Sequence, residues 1–114
     1  MRFRVEIDRA VLADLKKLCP FDRRAVLDTA ERVLTSTPMQ VSKSRIKRLR
    51  GTDSPQYRLR VGEFRVFYDV HAPEVYVLRV LSKADVADYL KEIGYEIEDG
   101  ERGATGAGNG QGGQ

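Results

Sequence analysis

The stretch QYRLRVGEFRVFYDV, residues 56–70, constrains the fold more than any other part of this chain. Its side chains alternate with period two, which sorts them onto the two faces of a strand. Tyr57, Leu59 and Val61 form an apolar set, and Arg58 and Arg60 point the other way. After Gly62 the pattern resumes with Phe64, Val66, Tyr68 and Val70 against Arg65, Phe67 and Asp69. A tight hairpin that buries both apolar sets therefore gathers Arg58, Arg60 and Arg65 on the opposite face, beside Phe67. Like charges on neighbouring strands repel, so the arrangement makes sense if an anion sits there. Guanidinium offers bidentate donors to phosphate, and flat rings such as Phe67 offer stacking surfaces to unpaired bases. A basic face for single-stranded RNA is the expectation.

The remainder of the sequence supplies layers to cover the apolar side. Residues 2–7, RFRVEI, alternate as a half-buried strand. Asp8 opens a helix carrying Val11, Leu12, Leu15 and Leu18, and Pro20 ends it. A second helix is predicted over residues 22–35, closed by Pro38, and the two should pair as an antiparallel hairpin. Residues 39–55 show no clear period, although Ile46 and Leu49 allow one short helical turn. Strands are predicted over 56–61, 63–70 and 75–81, and then a last helix with Ser82 as its N-cap and Gly94 as its stop. The order β-α-α-β-β-β-α implies an α+β fold: an antiparallel sheet of about four strands, with helices on one face. The domain is expected to span residues 1–95. Seven of the ten glycines lie from Gly100 on, so residues 96–114 are expected to form a flexible Gly-rich tail.

Charge is concentrated where the hairpin begins. Residues 43–65 hold eight basic and two acidic residues, a net +6 in a chain whose whole net charge is +3. Besides the strand arginines, the block contains Lys43, Arg45, Lys47, Arg48 and Arg50, candidates for gripping RNA phosphates. The single cysteine, Cys19, cannot form an internal disulfide. The only histidine, His71, is not part of a zinc-spaced cluster. No metal site and no cofactor are expected. No apolar run reaches membrane-spanning length and MRFRVEIDRA lacks the core of a signal peptide, so no membrane partner and a cytoplasmic location are expected.

The run LRG at residues 49–51, followed by YRLRVGEFRVFY at 57–68 and LSKADVADYL at 81–90, resembles the RelE/ParE superfamily of toxins from type II toxin–antitoxin modules. The likeness covers residues 2 to about 93. It implies a RelE-like fold and a toxin paired with a cognate antitoxin. For a RelE-like member it implies an endoribonuclease that cuts mRNA on the ribosome without metal, by attack of the ribose 2′-hydroxyl on the adjacent phosphate. Carried onto this chain, the resemblance assigns Arg58, Arg60, Arg65, Lys83 and Tyr89 to catalysis. Arg65 would contact the scissile phosphate, Arg58 and Arg60 would stabilise charge, Lys83 would donate a proton, and Tyr89 would stack on a base or activate the hydroxyl. Guanidinium does not give up its proton, so neither Arg58 nor Arg60 serves as a general base. Tyr89 also lies three residues from Val86 and reads equally well as core. Two other activities fit the same resemblance: inhibition of DNA gyrase, as by ParE-like members, and a non-catalytic co-repressor acting with the antitoxin.

Overall fold

A computed structural model describes residues 2–95; the predicted Gly-rich tail lies outside them. The elements are β1 (Arg4–Ile7), α1 (Arg9–Lys16), α2 (Pro20–Leu34), β2 (Ile46–Arg48), β3 (Tyr57–Val61), β4 (Phe64–His71) and β5 (Glu74–Ser82). A 3-10 turn, Lys83–Asp85, leads into α3 (Val86–Glu92). They build one five-stranded sheet in the order β1-β5-β4-β3-β2. Only β1 and β5 run parallel. The α+β architecture is the expected one, with β2 added where the sequence had no legible period. Ile46 belongs to that strand because it faces Leu59 across the ladder. Three residues are too few for alternation to announce a strand.

Local chemistry sets the helix ends. The Asp8 carboxylate accepts from the Ala10 N–H and caps α1. Pro20 closes the first helix region and also opens α2, where its missing N–H costs nothing. Arg23 holds the two helices together by donating to the carbonyls of Leu15 and Leu18.

The main core lies between the helical hairpin and one sheet face. Val11 and Leu15 of α1 and Val26, Ala30, Val33 and Leu34 of α2 meet Leu59, Val66, Tyr68, Val75, Val77 and Val80. Tyr68 is fully buried and donates its hydroxyl to the Pro38 carbonyl at 2.6 Å. That bond fixes the loop after α2, and burial pushes the phenol pKa well above its ordinary value.

The expectation that the helices share one face does not hold for α3. A second core forms on the opposite face from Leu49, Phe67, Leu81, Leu90 and Tyr95, with Val86, Tyr89 and Ile93 packed against it. A β-bulge makes this possible. The β4–β5 register pairs Phe67 with Arg79 but Tyr68 with Val77, leaving Leu78 unopposed. Beyond the bulge, Val80 joins the first core and Leu81 the second.

Asp14 ties α1 to this strand. Its buried carboxylate accepts from the Val80 N–H at 2.8 Å and from two nitrogens of Arg79 at 2.8 and 2.9 Å. It thus supplies an acceptor to β5 past the point where β1 ends. Asp14→Ala should lower unfolding stability by about 2–4 kcal/mol, because a buried N–H and a guanidinium lose their acceptor together; a shift of the urea midpoint measures it. Raising the pH above about 10, the ordinary phenol pKa, should also destabilise the fold, since the unfolded chain gives up the Tyr68 proton before the folded one does. Tyr68→Phe should flatten that alkaline decline in a pH series of melts.

Candidate nucleic-acid interface

Strand pairing brings together most of the basic residues singled out from sequence. Arg60 lies opposite Arg65 across the β3–β4 ladder. The β2–β3 register continues past Ile46, and the Arg60 N–H donates to the Arg45 carbonyl at 2.8 Å, so Arg45 lies opposite Arg60. Arg45, Arg60 and Arg65 thus form one cross-strand row. The next row on the same face runs Lys47, Arg58, Phe67, Arg79. Neither row contains a carboxylate.

The members differ in exposure. Arg60 is exposed, Arg58 and Lys47 are partly buried, and Arg65 is 9% exposed. Arg65 has work to do in the fold: its Nη1 donates to the carbonyls of Gly62 and Phe64 at 2.9 and 3.0 Å. It braces the two-residue turn in which Gly62 takes φ 58°, a left-handed conformation that favours glycine. Burial pulls the Arg65 pKa down, and the charges of Arg58 and Arg60 pull it further, with Glu63 opposing. The contributions of Arg58 and Arg60 are the electrostatic signature of three guanidinium groups sharing one small surface. A phosphate bound there would relieve them.

Several residues sit elsewhere. Arg48 lies opposite Tyr57, so it shares the other face; its guanidinium covers the Tyr57 ring at 5.0 Å, and Tyr57 stacks on Tyr68 at 5.4 Å. Lys43 and Arg50 are exposed in the segments flanking β2. Phe67 is on the predicted face but offers no stacking surface. It is 0% exposed because α3 folds over it, with the Tyr89 ring 5.0 Å away. The expected open aromatic beside the arginines is therefore a core residue of the second layer.

Tyr89 is half-buried, between Phe67 and the Arg79 guanidinium, which lies 5.5 Å from its ring. Burial raises its pKa; Arg79 opposes the rise, and Asp69, Glu92 and Asp14 add to it. The phenol is thus neutral near pH 7 and is better suited to packing or donating a hydrogen bond than to removing a proton. Lys83 is exposed, and its backbone N–H donates to the Glu63 carbonyl at 2.7 Å. That bond fastens the start of the 3-10 turn to the hairpin that carries Arg60 and Arg65. Sequence reasoning missed Arg79 and Asp14, since the bulge that turns Arg79 onto this face leaves no periodic trace.

Among the described residues, no cluster of three or more His, Cys, Asp or Glu side chains could hold a metal ion. None of their helices is long and apolar enough to cross a membrane. The surface can bind a polyanion through fixed positive charge, with an exposed lysine at its margin.

Comparison with known proteins bears on which toxin lineage this face belongs to. Residues 5–87 match the model of the ParE toxin of the type II toxin–antitoxin system parDE. A Methanocaldococcus jannaschii protein provisionally named toxin RelE1 is 39% identical over 88 residues, 76% of this chain and 96% of that protein. The fold superposes on a chain of the RelBE2 toxin–antitoxin complex of Mycobacterium tuberculosis with a TM-score of 0.63, at 27% identity, covering 72% of this chain and 99% of the other. A chain of the RelE–RelB complex of Pyrococcus horikoshii gives 0.59 at 28% identity, covering 73% and 97%. With the family model spanning most of the domain and a relative this similar along nearly its whole length, the chain belongs to the RelE/ParE superfamily of type II toxin–antitoxin toxins.

Proposed function

We propose that this toxin is a ribosome-dependent mRNA endonuclease. The observation that carries the proposal is the carboxylate-free row Arg45–Arg60–Arg65, flanked by Lys47 and Arg58. Cleavage by the neighbouring 2′-hydroxyl needs loss of that hydroxyl's proton as its oxygen bonds to phosphorus, fixed positive charge around the phosphorane, a proton donor for the leaving 5′-oxygen, and an in-line substrate. Arg60 and Arg58 stabilise the charge. Arg65 holds the turn that aims them and lends its own charge to the phosphate. Lys83 donates the proton. Tyr89, kept neutral by burial, orients a base or the attacking hydroxyl. None of the arginines in the basic rows is an able general base, so the 2′-hydroxyl proton passes to a phosphate oxygen or to water while the ribosome strains and aligns the substrate. An acidic antitoxin that covers these rows would silence it, as the RelB-containing complexes of its structural relatives suggest.

A second reading, inhibition of DNA gyrase, draws support from the ParE description of the matched family model and from strand positions 58 and 60 both being arginine. Induction of the toxin followed by primer extension on abundant mRNAs separates the two. Cuts within codons at the ribosomal A site are expected; intact mRNA accompanied by DNA breaks and an SOS response would favour gyrase. Arg60→Ala removes an exposed guanidinium while keeping the backbone bond to Arg45, and should reduce cleavage about 10²–10³-fold, the usual loss for one charge-stabilising donor. Tyr89→Phe should stay within about tenfold of the parent, because a neutral ring is retained, as measured by cleavage of programmed ribosomes.

A further inference from the structure

We infer that the outer edge of the sheet at β1, to which no other strand of the described residues pairs, joins the β1 edge of a second copy of this chain, in an antiparallel register centred on Val5. The inference concerns a surface remote from the basic rows and does not rest on the nuclease reading.

β1 is the terminal strand of the sheet. Its ladder to β5 uses Arg4, whose N–H donates to the Pro73 carbonyl, and continues to Asp8, whose N–H donates to the Val77 carbonyl. Backbone groups in a strand alternate sides, so those of Val5 and Ile7 point away from the sheet. Such an edge is a template for another strand. Ile7 is 45% exposed beside it, and Leu27 of α2 is 38% exposed along the same margin.

The sequence of the strand selects the occupant. Outward-facing residues must meet outward-facing residues, which leaves few antiparallel registers between two copies. Centred on Val5, Val5 meets Val5, and Arg4 of each copy meets Glu6 of the other. Moving the centre to Arg4 sets Arg4 against Arg4; moving it to Glu6 sets Glu6 against Glu6. Only the Val5-centred register joins opposite charges at both flanking positions while keeping the apolar residues on the helix-covered side. Glu6 is exposed. Arg4 already pairs with Glu74 of its own chain, but its guanidinium has donors for a second carboxylate.

The ladder is short. Val5 exchanges reciprocal hydrogen bonds with Val5, and because the outward Phe3 N–H is already committed to the Thr35 carbonyl, the pairing is confined to residues 4–6 of each copy. A small interface of this kind gives a weak, concentration-dependent dimer. Its two-fold axis is perpendicular to the sheet, so both basic faces lie on the same side. Counting strands at about 4.8 Å spacing, the two β3 strands stand roughly 35 Å apart.

Sedimentation equilibrium on the purified full-length chain, from about 1 µM to about 1 mM, tests the inference. A dimer should form, and added salt should weaken it. Arg4→Glu should raise the dissociation constant at least about tenfold by setting like charges across the axis. Adding Glu6→Arg to that variant should recover most of the affinity, although the Arg4–Glu74 pair stays broken. Val5→Pro should abolish association and leave the fold intact by circular dichroism, since the N–H it removes faces away from β5. A chain that stays monomeric throughout, a dimer indifferent to both Arg4→Glu and Val5→Pro, or failure of the charge exchange to restore affinity would overturn the inference.

Discussion

Everything on this molecule's surface depends on the register of the β3–β4 hairpin. Leu59 opposite Val66 and Arg60 opposite Arg65 are one decision, not two, because strand side chains alternate. A slip of one residue would drive two guanidinium groups into the core under α2 and expose Leu59 and Val66. The hydrophobic penalty for that is prohibitive, so the core holds the arginines in place. Holding them there costs something, since burial first and then the charges of Arg58 and Arg60 pull the Arg65 pKa down. The hairpin offsets part of it by giving Arg65 two turn carbonyls as acceptors.

A second constraint decides how much of the basic face stays open. The bulge at Leu78 changes which β5 residues face which layer. It sends Leu81 toward α3 and Arg79 toward Asp14 and Tyr89. The sheet is consequently covered on both sides in its β4–β5 half, whereas the exposed members of the basic rows, Arg45 and Arg60, lie toward β2. Asp14 links the two layers, since one carboxylate of α1 serves a β5 backbone group and the arginine lying over the α3 tyrosine. Tyr89 and the arginine rows are thereby held by separate devices, one by packing and the other by strand pairing.

This division bears on how toxins of one superfamily can differ in target. A face built from strand-mounted cations is sequence-neutral, and its fixed charges suit phosphate positions more than base edges. Chemistry requires a further element carried by another part of the chain. In the proposed nuclease that element is the segment from Lys83 to Tyr89, anchored to the hairpin by the Lys83 N–H and to the second core by the Tyr89 ring. Small changes in that segment can alter what is done to a bound polyanion without altering the scaffold that binds it.

The sequence by itself determined the hairpin, its two faces, the helical pair and the gathering of Arg58, Arg60 and Arg65. Each follows from a local period or a local breaker, read over fewer than twenty residues. It also carried the superfamily resemblance that the family match supports. Other features were decided only by tertiary structure. β2 exists because Ile46 finds Leu59; Arg48 departs from its basic neighbours because it finds Tyr57; Phe67 is buried because α3 crosses the far face. The bulge at Leu78 breaks the alternation of β5, and so Arg79 could not be assigned a face in advance. The physical reason is the same in each case. A period states which residues share a side, but only long-range packing states what covers that side.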